Sequence, residues 1–331
     1  MLLLTGCSNK KKTQKPISLE PVKNVSGLND STFIANVSSI ESIHNQFFLS
    51  LYLGGGSSQI LQLGPDLDLR GIIQRNGKGP GEFTSVTDMS IINDSLYVYN
   101  ETQAKILVFD HNKKFIRETK ISEASASHMA VDERSHFFLS TPSRSDPITK
   151  FSAEGQQITT FGRNTIGEDS RHYRRNSRML FIYNDRLIAI GRSEPVLEVY
   201  SLEGTFLSTT RIDPPEIHEL IAYVREENED PDARGFSLLF FDAAIHNNNI
   251  YLLVAKHPNE NTKAYDTNFT FLFKYKLNTG GGVTHEQTFK LFRSDQDKLM
   301  YGSALAVTDD HKIIVNDMMG KSLLMYEDER L

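Results

Sequence analysis

The sequence predicts an all-β chain folded as one six-bladed β-propeller. Three observations favour this fold class: a four-strand unit that recurs along the chain, a regular spacing of aromatic residues, and a last unit that lacks its fourth strand. Each unit has an apolar strand A, an Asn/Asp turn, strand B, a loop, strand C ending in an aromatic residue, a tight polar turn and strand D. The alternative is a two-sheet sandwich of similar hairpins, which would not require a repeat of this length.

Unit two defines the repeat most clearly. Its strands are expected at residues 89–92, 96–99, 106–109 and 115–120, with Asn93 and Asp94 in the first turn. The same pattern places units one, three, four and five at residues 40–74, 129–161, 180–210 and 243–291. The aromatic residues that end strand C are Phe109, Phe151, Tyr200, Tyr275 and Tyr326. Their spacing is close to the ~40–50 residues of one propeller blade, except for a longer gap between Tyr200 and Tyr275.

An insertion at residues 213–239, between units four and five, accounts for the longer gap and is expected to carry one helix. Asp213 could cap this helix, and Pro214 and Pro215 suit its first turn. Four apolar residues fall on one face at helical spacing, namely Ile217, Leu220, Ile221 and Val224.

The last unit, at residues 305–326, ends without a strand D. A ring of sheets can close by taking that strand from the other terminus, which also hides an edge that would otherwise aggregate. We therefore expect residues 17–25 or 33–37 to pair beside residues 323–326. The predicted domains are a signal and polar tether at residues 1–16 and the propeller at residues 17–331.

The N-terminus has a leucine run and small residues just before Cys7, which is the one cysteine of the chain. It resembles the lipobox of a bacterial lipoprotein precursor. This resemblance implies removal of residues 1–6 and acylation of Cys7, whose lipid would then be the partner that holds the protein on a membrane. The alternative is a chance cysteine in a partly apolar terminus.

A second resemblance rests on Gly77-Lys78-Gly79-Pro80-Gly81-Glu82-Phe83. With this motif, residues 31 to 326 resemble the TolB-like six-bladed propeller lipoproteins of Bacteroides-type bacteria. The resemblance implies the fold and a location in the cell envelope, anchored by lipid to the outer membrane, rather than a reaction. Read as a phosphate loop, the motif lacks the Lys-Ser/Thr pair that opens a helix, so a structural turn is the better interpretation.

Composition excludes one class of partner. The formal net charge of -6 argues against general nucleic-acid binding, which depends on clustered Lys and Arg. A single cysteine allows no internal disulfide, so packing must stabilise the fold. No stretch approaches the length of a membrane span.

Loop length differs between the two faces of the predicted ring. A–B and C–D turns are short and share one face, whereas the long B–C loops and D-to-A crossovers share the other, which is the predicted functional face. One crossover there is basic, with Arg171, His172, Tyr173, Arg174, Arg175 and Arg178 as the candidate ligand-binding residues. Arg guanidinium groups bind oxyanions in a bidentate way, so this segment could recognise an anionic ligand. The alternative is a solvated loop neutralised by the acidic insertion.

The sequence gives no catalytic motif, and neither a cofactor nor a metal is expected. Inner strands are expected to offer the channel mainly apolar residues, namely Met89, Ile91, Val131, Phe181 and Leu305, although His44, His128 and His246 could also line it. The leading hypothesis is thus a non-enzymatic binding or scaffold lipoprotein of the envelope. Its ligand would be a glycan, a peptide or a partner protein. The alternative is a metal-dependent propeller hydrolase or lyase with its site in the central channel.

Overall fold

A computed structural model describes residues 15–29, 32–34, 36–122, 125–164, 170–230, 237–255, 268–278, 282–293 and 300–330. For residues 170–172 the description covers the backbone and not the side chains. Cys7 and most of the predicted signal and tether lie outside the described residues.

The strands form six sheets, which are the blades of one propeller. The N-terminal segment contains β1 (Ile17–Leu19) and β2 (Lys23–Val25). Blade one contains β3 (Val37–Ile43), β4 (Gln46–Gly54), β5 (Ser57–Leu63) and β6 (Leu69–Ile73). Blade two contains β7 (Val86–Ile92), β8 (Ser95–Asn100), β9 (Lys105–Asp110) and β10 (Phe115–Lys120). Blade three contains β11 (Met129–Val131), β12 (Phe137–Ser140), β13 (Ile148–Phe151) and β14 (Gln157–Phe161).

The second half of the ring repeats this order. Blade four contains β15 (Arg178–Tyr183), β16 (Arg186–Gly191), β17 (Val196–Ser201) and β18 (Phe206–Arg211). Blade five contains β19 (Phe240–His246), β20 (Asn249–Val254), β21 (Phe269–Leu277) and β22 (Val283–Phe292). Blade six contains β23 (Gly302–Val307), β24 (Lys312–Asp317) and β25 (Ser322–Glu327). Short 3₁₀ helices at Glu101–Gln103, Ser170–Asn176 and Pro215–Ile217 and one α-helix, α1 (His218–Glu229), complete the described elements.

Blade six is completed by the N-terminus, as the sequence predicts. Strand β2 pairs antiparallel with β25, with Asn24 opposite Leu324, and the Val22 N–H donates to the Met325 carbonyl oxygen at 2.8 Å. The prediction is wrong for residues 17–19, which were also expected beside residues 323–326: β1 pairs in parallel with β22 and makes blade five a five-stranded sheet. The N-terminal segment therefore joins blades five and six at their outer edges.

The turns between strands A and B explain the recurring Asn and Asp residues. Both central residues have a positive φ in the pairs His44-Asn45, Asn93-Asp94, Asn184-Asp185 and Asn247-Asn248. Two positive φ angles define the type I′ turn, whose twist matches that of the adjoining strands and which favours Asn and Asp. In blades one, two, four and five, the repeat in the sequence is thus a repeat of one hairpin geometry.

The core consists of six apolar layers, each between two neighbouring blades. The insertion adds to the layer between blades four and five, because Ile217, Leu220, Ile221 and Val224 are all buried there. The predicted helix face is therefore confirmed, but the predicted cap is wrong. Asp213 makes no capping hydrogen bond and instead lies 3.3 Å from Nε2 of His218. No described helix has the length and apolar character that crossing a membrane requires.

The Gly77–Phe83 loop closes on itself and on blade two. Oε2 of Glu82 accepts a hydrogen bond from the Gly79 N–H at 2.8 Å, and the Phe83 ring is fully buried. Lys105, buried under the loop, donates to the Gly79 carbonyl oxygen at 3.0 Å and to Oε2 of Glu118 at 2.9 Å. This loop uses its polar groups internally, which fits the structural interpretation of the motif.

The pair of Lys105 and Glu118 makes stability depend on pH. Partial burial raises the pKa of Glu118, but hydrogen bonds from Lys105 and the Gly81 N–H outweigh it, so the pKa of Glu118 falls below its ordinary value. A lowered carboxyl pKa contributes stability above the ordinary value of 4.5, and this contribution is lost as pH falls through the folded pKa. We expect Glu118→Gln to lower the urea midpoint at pH 7 and to flatten its dependence on pH below 4.5. If the urea midpoint of the variant falls below pH 4.5 as steeply as that of the unmodified protein, Glu118 is not the group responsible.

Candidate ligand-binding site at the channel mouth

The innermost strands begin at the long-loop face with a repeated irregularity. The register between strands A and B shifts at the start of β3, β7, β19 and β23, in blades one, two, five and six. A β-bulge at such a position turns side chains in a new direction and is common next to binding sites. Here it places Ser39, Asp88 and Asp242 around the mouth of the central channel.

A cavity of about 350 Å³ occupies this mouth. Its lining includes starts of strand A together with Pro142 and Arg174 from a B–C loop and a crossover, so these loops do share one face, as predicted. A second cavity, of about 290 Å³, continues down the channel and shares Ser39, Asp88, His128 and Asp242 with the first. The two cavities therefore adjoin each other at these four polar residues.

Two aspartates lie on opposite sides of the mouth, in blades two and five. Oδ2 of Asp88 accepts a hydrogen bond from the Met129 N–H of blade three at 2.8 Å. Oδ2 of Asp242 accepts one from the Leu305 N–H of blade six, also at 2.8 Å. Each carboxyl group is thereby held in place by the next blade, which preorganises both for a ligand.

Two nitrogen atoms at the mouth have no partner among the described residues. Nδ1 of His128 lies 3.5 Å from Oδ2 of Asp88, while its Nε2 is buried without a hydrogen bond. Nη2 of Arg192 donates to the Phe241 carbonyl oxygen at 3.0 Å, while its Nε is buried without a partner. Buried polar atoms are normally hydrogen-bonded, so these two can pair with a ligand or with water.

Burial shifts the pKa values of three titratable groups around the channel. Burial raises the pKa of Asp242 to about 7, although the N–H groups of Leu305 and Ala243 oppose the shift. Burial also raises the pKa of Glu41, and the nearby Asp88 and Asp242 raise it further. The pKa of His128 is lowered by burial, against the effect of Asp88, so this ring is neutral at pH 7. Burial therefore favours the protonated forms of Glu41 and Asp242, which lie near neutral His128 and cationic Arg192.

The predicted basic crossover reaches this mouth in part. Residues 171–175 belong to the 3₁₀ helix Ser170–Asn176, and Tyr173 and Arg174 line the mouth cavity. Arg175 is half-buried. The side chains of Arg171 and His172 lie outside the described residues. Tyr173 and Arg174 are thus the two predicted residues that the structure brings to the cavity.

Arg178 has a different environment from that of the other predicted residues. Its side chain is fully buried, and its Nε lies 3.4 Å from Oε2 of Glu198, which is also buried. Its Nη2 donates to the Arg163 carbonyl oxygen at 3.3 Å. Because a ligand on the long-loop face does not reach this guanidinium, we leave Arg178 out of the candidate site and assign it a structural role.

The expectation of a mainly apolar channel is wrong, because Glu41, Asp88 and Asp242 line the deeper cavity as well. Met89, Ile91, Val131, Phe181 and Leu305 do line the deeper cavity, and so do His128 and His246, whereas His44 does not. The expectation omitted Glu41, Asp88 and Asp242. The bulged strand starts place Asp88 and Asp242 at the mouth, whereas Glu41 lies further along β3 and lines the deeper cavity. The available signal was one acidic residue at the same place in units two and five, just before Met89 and Ala243. Among the described residues, no three His, Cys, Asp or Glu side chains are arranged to hold a metal ion.

Comparison with known proteins supports the fold. Residues 71–209 match the DUF5128 family, described as a 6-bladed beta-propeller. A comparison with curated protein sequences gives no match. The repeat predicts a ring of six blades and the structure contains one. The matching family is described by the same architecture.

Three solved structures share this architecture at low sequence identity. One, described as an exported protein of Bacteroides fragilis, is 12% identical, with a TM-score of 0.59 over 94% of this chain and 99% of that one. A DUF4221 member from Bacteroides vulgatus is 12% identical, with a TM-score of 0.57 over 93% and 96%. An inactive virginiamycin B lyase from Staphylococcus aureus, solved with quinupristin, is 12% identical, with a TM-score of 0.52 over 92% and 99%. At this identity the likeness concerns the fold alone.

Proposed function

We propose that the protein is a TolB-like lipoprotein of the bacterial cell envelope, anchored through Cys7, whose propeller binds a ligand at the mouth of its central channel. One observation carries the binding part: the long-loop face opens into a cavity of about 350 Å³ that is lined by His128 and Arg192, each of which has a buried nitrogen without a hydrogen bond among the described residues. Small-ligand sites are typically concave and hold a few convergent polar groups. A glycan, a peptide or an exposed segment of a partner protein would supply such a ligand.

The envelope location is supported by two independent features. The N-terminal motif ending in Cys7 resembles a lipobox, and a similar structure belongs to a Bacteroides protein described as exported. We expect Cys7→Ser to abolish incorporation of a labelled fatty acid and to release the protein from the membrane fraction, because the lipid supplies the membrane affinity. Labelling of the serine variant at the level of the unmodified protein would disprove the anchor.

Arg174 offers the sharpest test of binding on this face. The protein, purified from its own envelope, would be denatured and the molecules it releases identified by mass spectrometry. We expect Arg174→Ala to lower the amount of bound ligand by about tenfold, the effect of losing one charge-assisted hydrogen bond. Arg134→Ala, an exposed arginine on a turn of the opposite face, is the matched control and should retain the ligand. Equal retention by both variants would contradict a ligand at the mouth.

One observation favours a second function, a propeller hydrolase or lyase. Asp242, with a pKa near 7, and neutral His128 lie in one cavity, as an acid and a base for proton transfer would. Such a function with a metal predicts stoichiometric calcium or zinc in the soluble form after dialysis. Metal analysis therefore tests the metal-dependent enzyme, and stoichiometric bound metal would favour it over a binding protein.

A further inference from the structure

Among the described residues, the carboxyl groups of Glu41, Asp88 and Asp242, here called the mouth cluster, outnumber the cations Arg174 and Arg192 that line the mouth cavity. Glu41, Asp88 and Asp242 interact electrostatically with one another, and Arg192 is the cation whose charge acts on both aspartates. Three ionised carboxylates in a partly buried space would repel one another strongly. In the free protein, protonation of the carboxyl groups relieves this repulsion. A bound cation would relieve it in the same way.

The acceptor atoms of the cluster are also arranged for a donor. Asp88 and Asp242 face the channel from opposite blades, each fixed by a backbone N–H of the following blade. In neutral His128 the Nδ1–H is directed toward Asp88, so the buried Nε2 carries a lone pair without a donor. An ammonium group has three N–H donors that can point to separate acceptors. Its geometry therefore matches acceptors spread around a ring.

We propose that the channel mouth selects a small polar ligand through a protonated primary amine. The amine is held by Asp88, Asp242 and His128, while Arg192 and Arg174 face the remainder of the ligand. This inference rests on the proposed function, because it names the ligand class of the same site. The cavity of about 350 Å³ is large enough for an amino-terminal peptide end or an amino sugar, both of which carry this amine.

Ionisation of Asp242 should make the affinity for an amine depend on pH. The groups that face Asp242 are Arg192 of blade four, Asp88 of blade two and Glu41 of blade one. Because the pKa of Asp242 is about 7 in the free protein, this carboxyl is mostly protonated at pH 6 and mostly ionised at pH 8. An ammonium ligand prefers the ionised form, so its affinity should rise between pH 6 and pH 7.5, where an α-amine of pKa about 8 stays protonated.

Two probe pairs test the amine by isothermal titration calorimetry. Trialanine is compared with N-acetyl-trialanine, and glucosamine with N-acetylglucosamine, so that each pair differs in the charge of one nitrogen. We expect the amine member of one pair to bind and its acetylated partner to bind at least about tenfold more weakly. The pair that shows the preference identifies a peptide end or an amino sugar as the source.

The variants Asp242→Asn and Glu41→Gln test whether these two carboxyl groups determine the preference for an amine. The amide oxygen that Asp242→Asn introduces can still accept the hydrogen bond from the Leu305 N–H, so the fold should persist, and circular dichroism checks this. We expect Asp242→Asn to remove both the amine preference and the rise of affinity with pH, and Glu41→Gln to weaken them. Asp185→Asn, on a turn of the opposite face, is the matched control and should change neither.

Several results would overturn this inference. They are equal binding within each pair, no binding of either amine at about 10 mM, a preference that survives in Asp242→Asn, or tight binding of calcium or zinc alone. If the amines fail while Arg174→Ala still loses the envelope ligand, the amine is wrong and the proposed function stands. If Arg174→Ala also retains that ligand, the site itself is wrong.

Discussion

Deletion of residues 1–28 is expected to destabilise the protein severely and to make it aggregate. The deletion removes β2, and with it the strand that covers β25 in blade six. Val25 and Leu28 also leave the apolar layer between blades six and one. Loss of about three backbone hydrogen bonds and of this packing should cost at least about 3 kcal/mol, and the open edge of β25 invites pairing with other chains. The expected observation is a large fall in the urea midpoint or insoluble protein.

Two shorter deletions control for the loss of the N-terminus itself. A deletion of residues 1–14 retains β1 and β2, so its unfolding should match that of the full chain. A deletion of residues 1–20 removes only β1, the added parallel strand of blade five, and should have an intermediate effect because Leu19 is buried there. Unfolding that is identical for the deletions of residues 1–20 and 1–28 would show that β2 does not hold the ring closed.

Arg178→Met is expected to lower the free energy of unfolding by about 3–5 kcal/mol. The variant leaves the buried Glu198 carboxylate without its cation, and an unpaired buried charge is costly. Tyr200 lies beside the pair, and its pKa is raised by burial and by Glu198, so its hydroxyl stays neutral and adds no second negative charge next to Glu198. Urea unfolding at pH 7 measures the effect.

The double variant Arg178→Met/Glu198→Leu distinguishes the cost of an unpaired buried charge from the cost of lost packing. Since it removes both charges, it should recover most of the stability that the single variant loses. Ligand binding by folded Arg178→Met should remain intact, because the guanidinium does not reach the mouth. A stable single variant that fails to bind would return Arg178 to the candidate site.

The fold could be predicted because the hairpins of blades one, two, four and five repeat one local geometry. Asn and Asp recur where strands A and B meet, and the structure shows that these positions need positive φ angles. The missing strand D of the last unit predicted the N-terminal closure. The partner of β1 could not be predicted, since its three residues have no turn or alternation of their own and pair with β22 only through tertiary structure.

The candidate site was harder to predict because its residues are single and far apart in sequence. Glu41, Asp88, His128, Arg192 and Asp242 come from five different blades or crossovers, and no spacing links them. Bulges, which turn Asp88 and Asp242 into the channel, leave no clear sequence pattern. The basic crossover is easily found in the sequence. However, Arg178 is buried beside Glu198 on β17, and a local sequence pattern does not reveal this contact.

Carboxyl titration by NMR tests the central claim, a mouth cluster short of positive charge, most directly. With ¹³Cγ-labelled aspartate, the Asp242 resonance is the one lost in Asp242→Asn. The account predicts that it titrates near pH 7 in the free protein and at lower pH once the preferred amine probe is bound. Titration of Asp242 near pH 4 in the free protein, or a titration that the amine does not change, would contradict it.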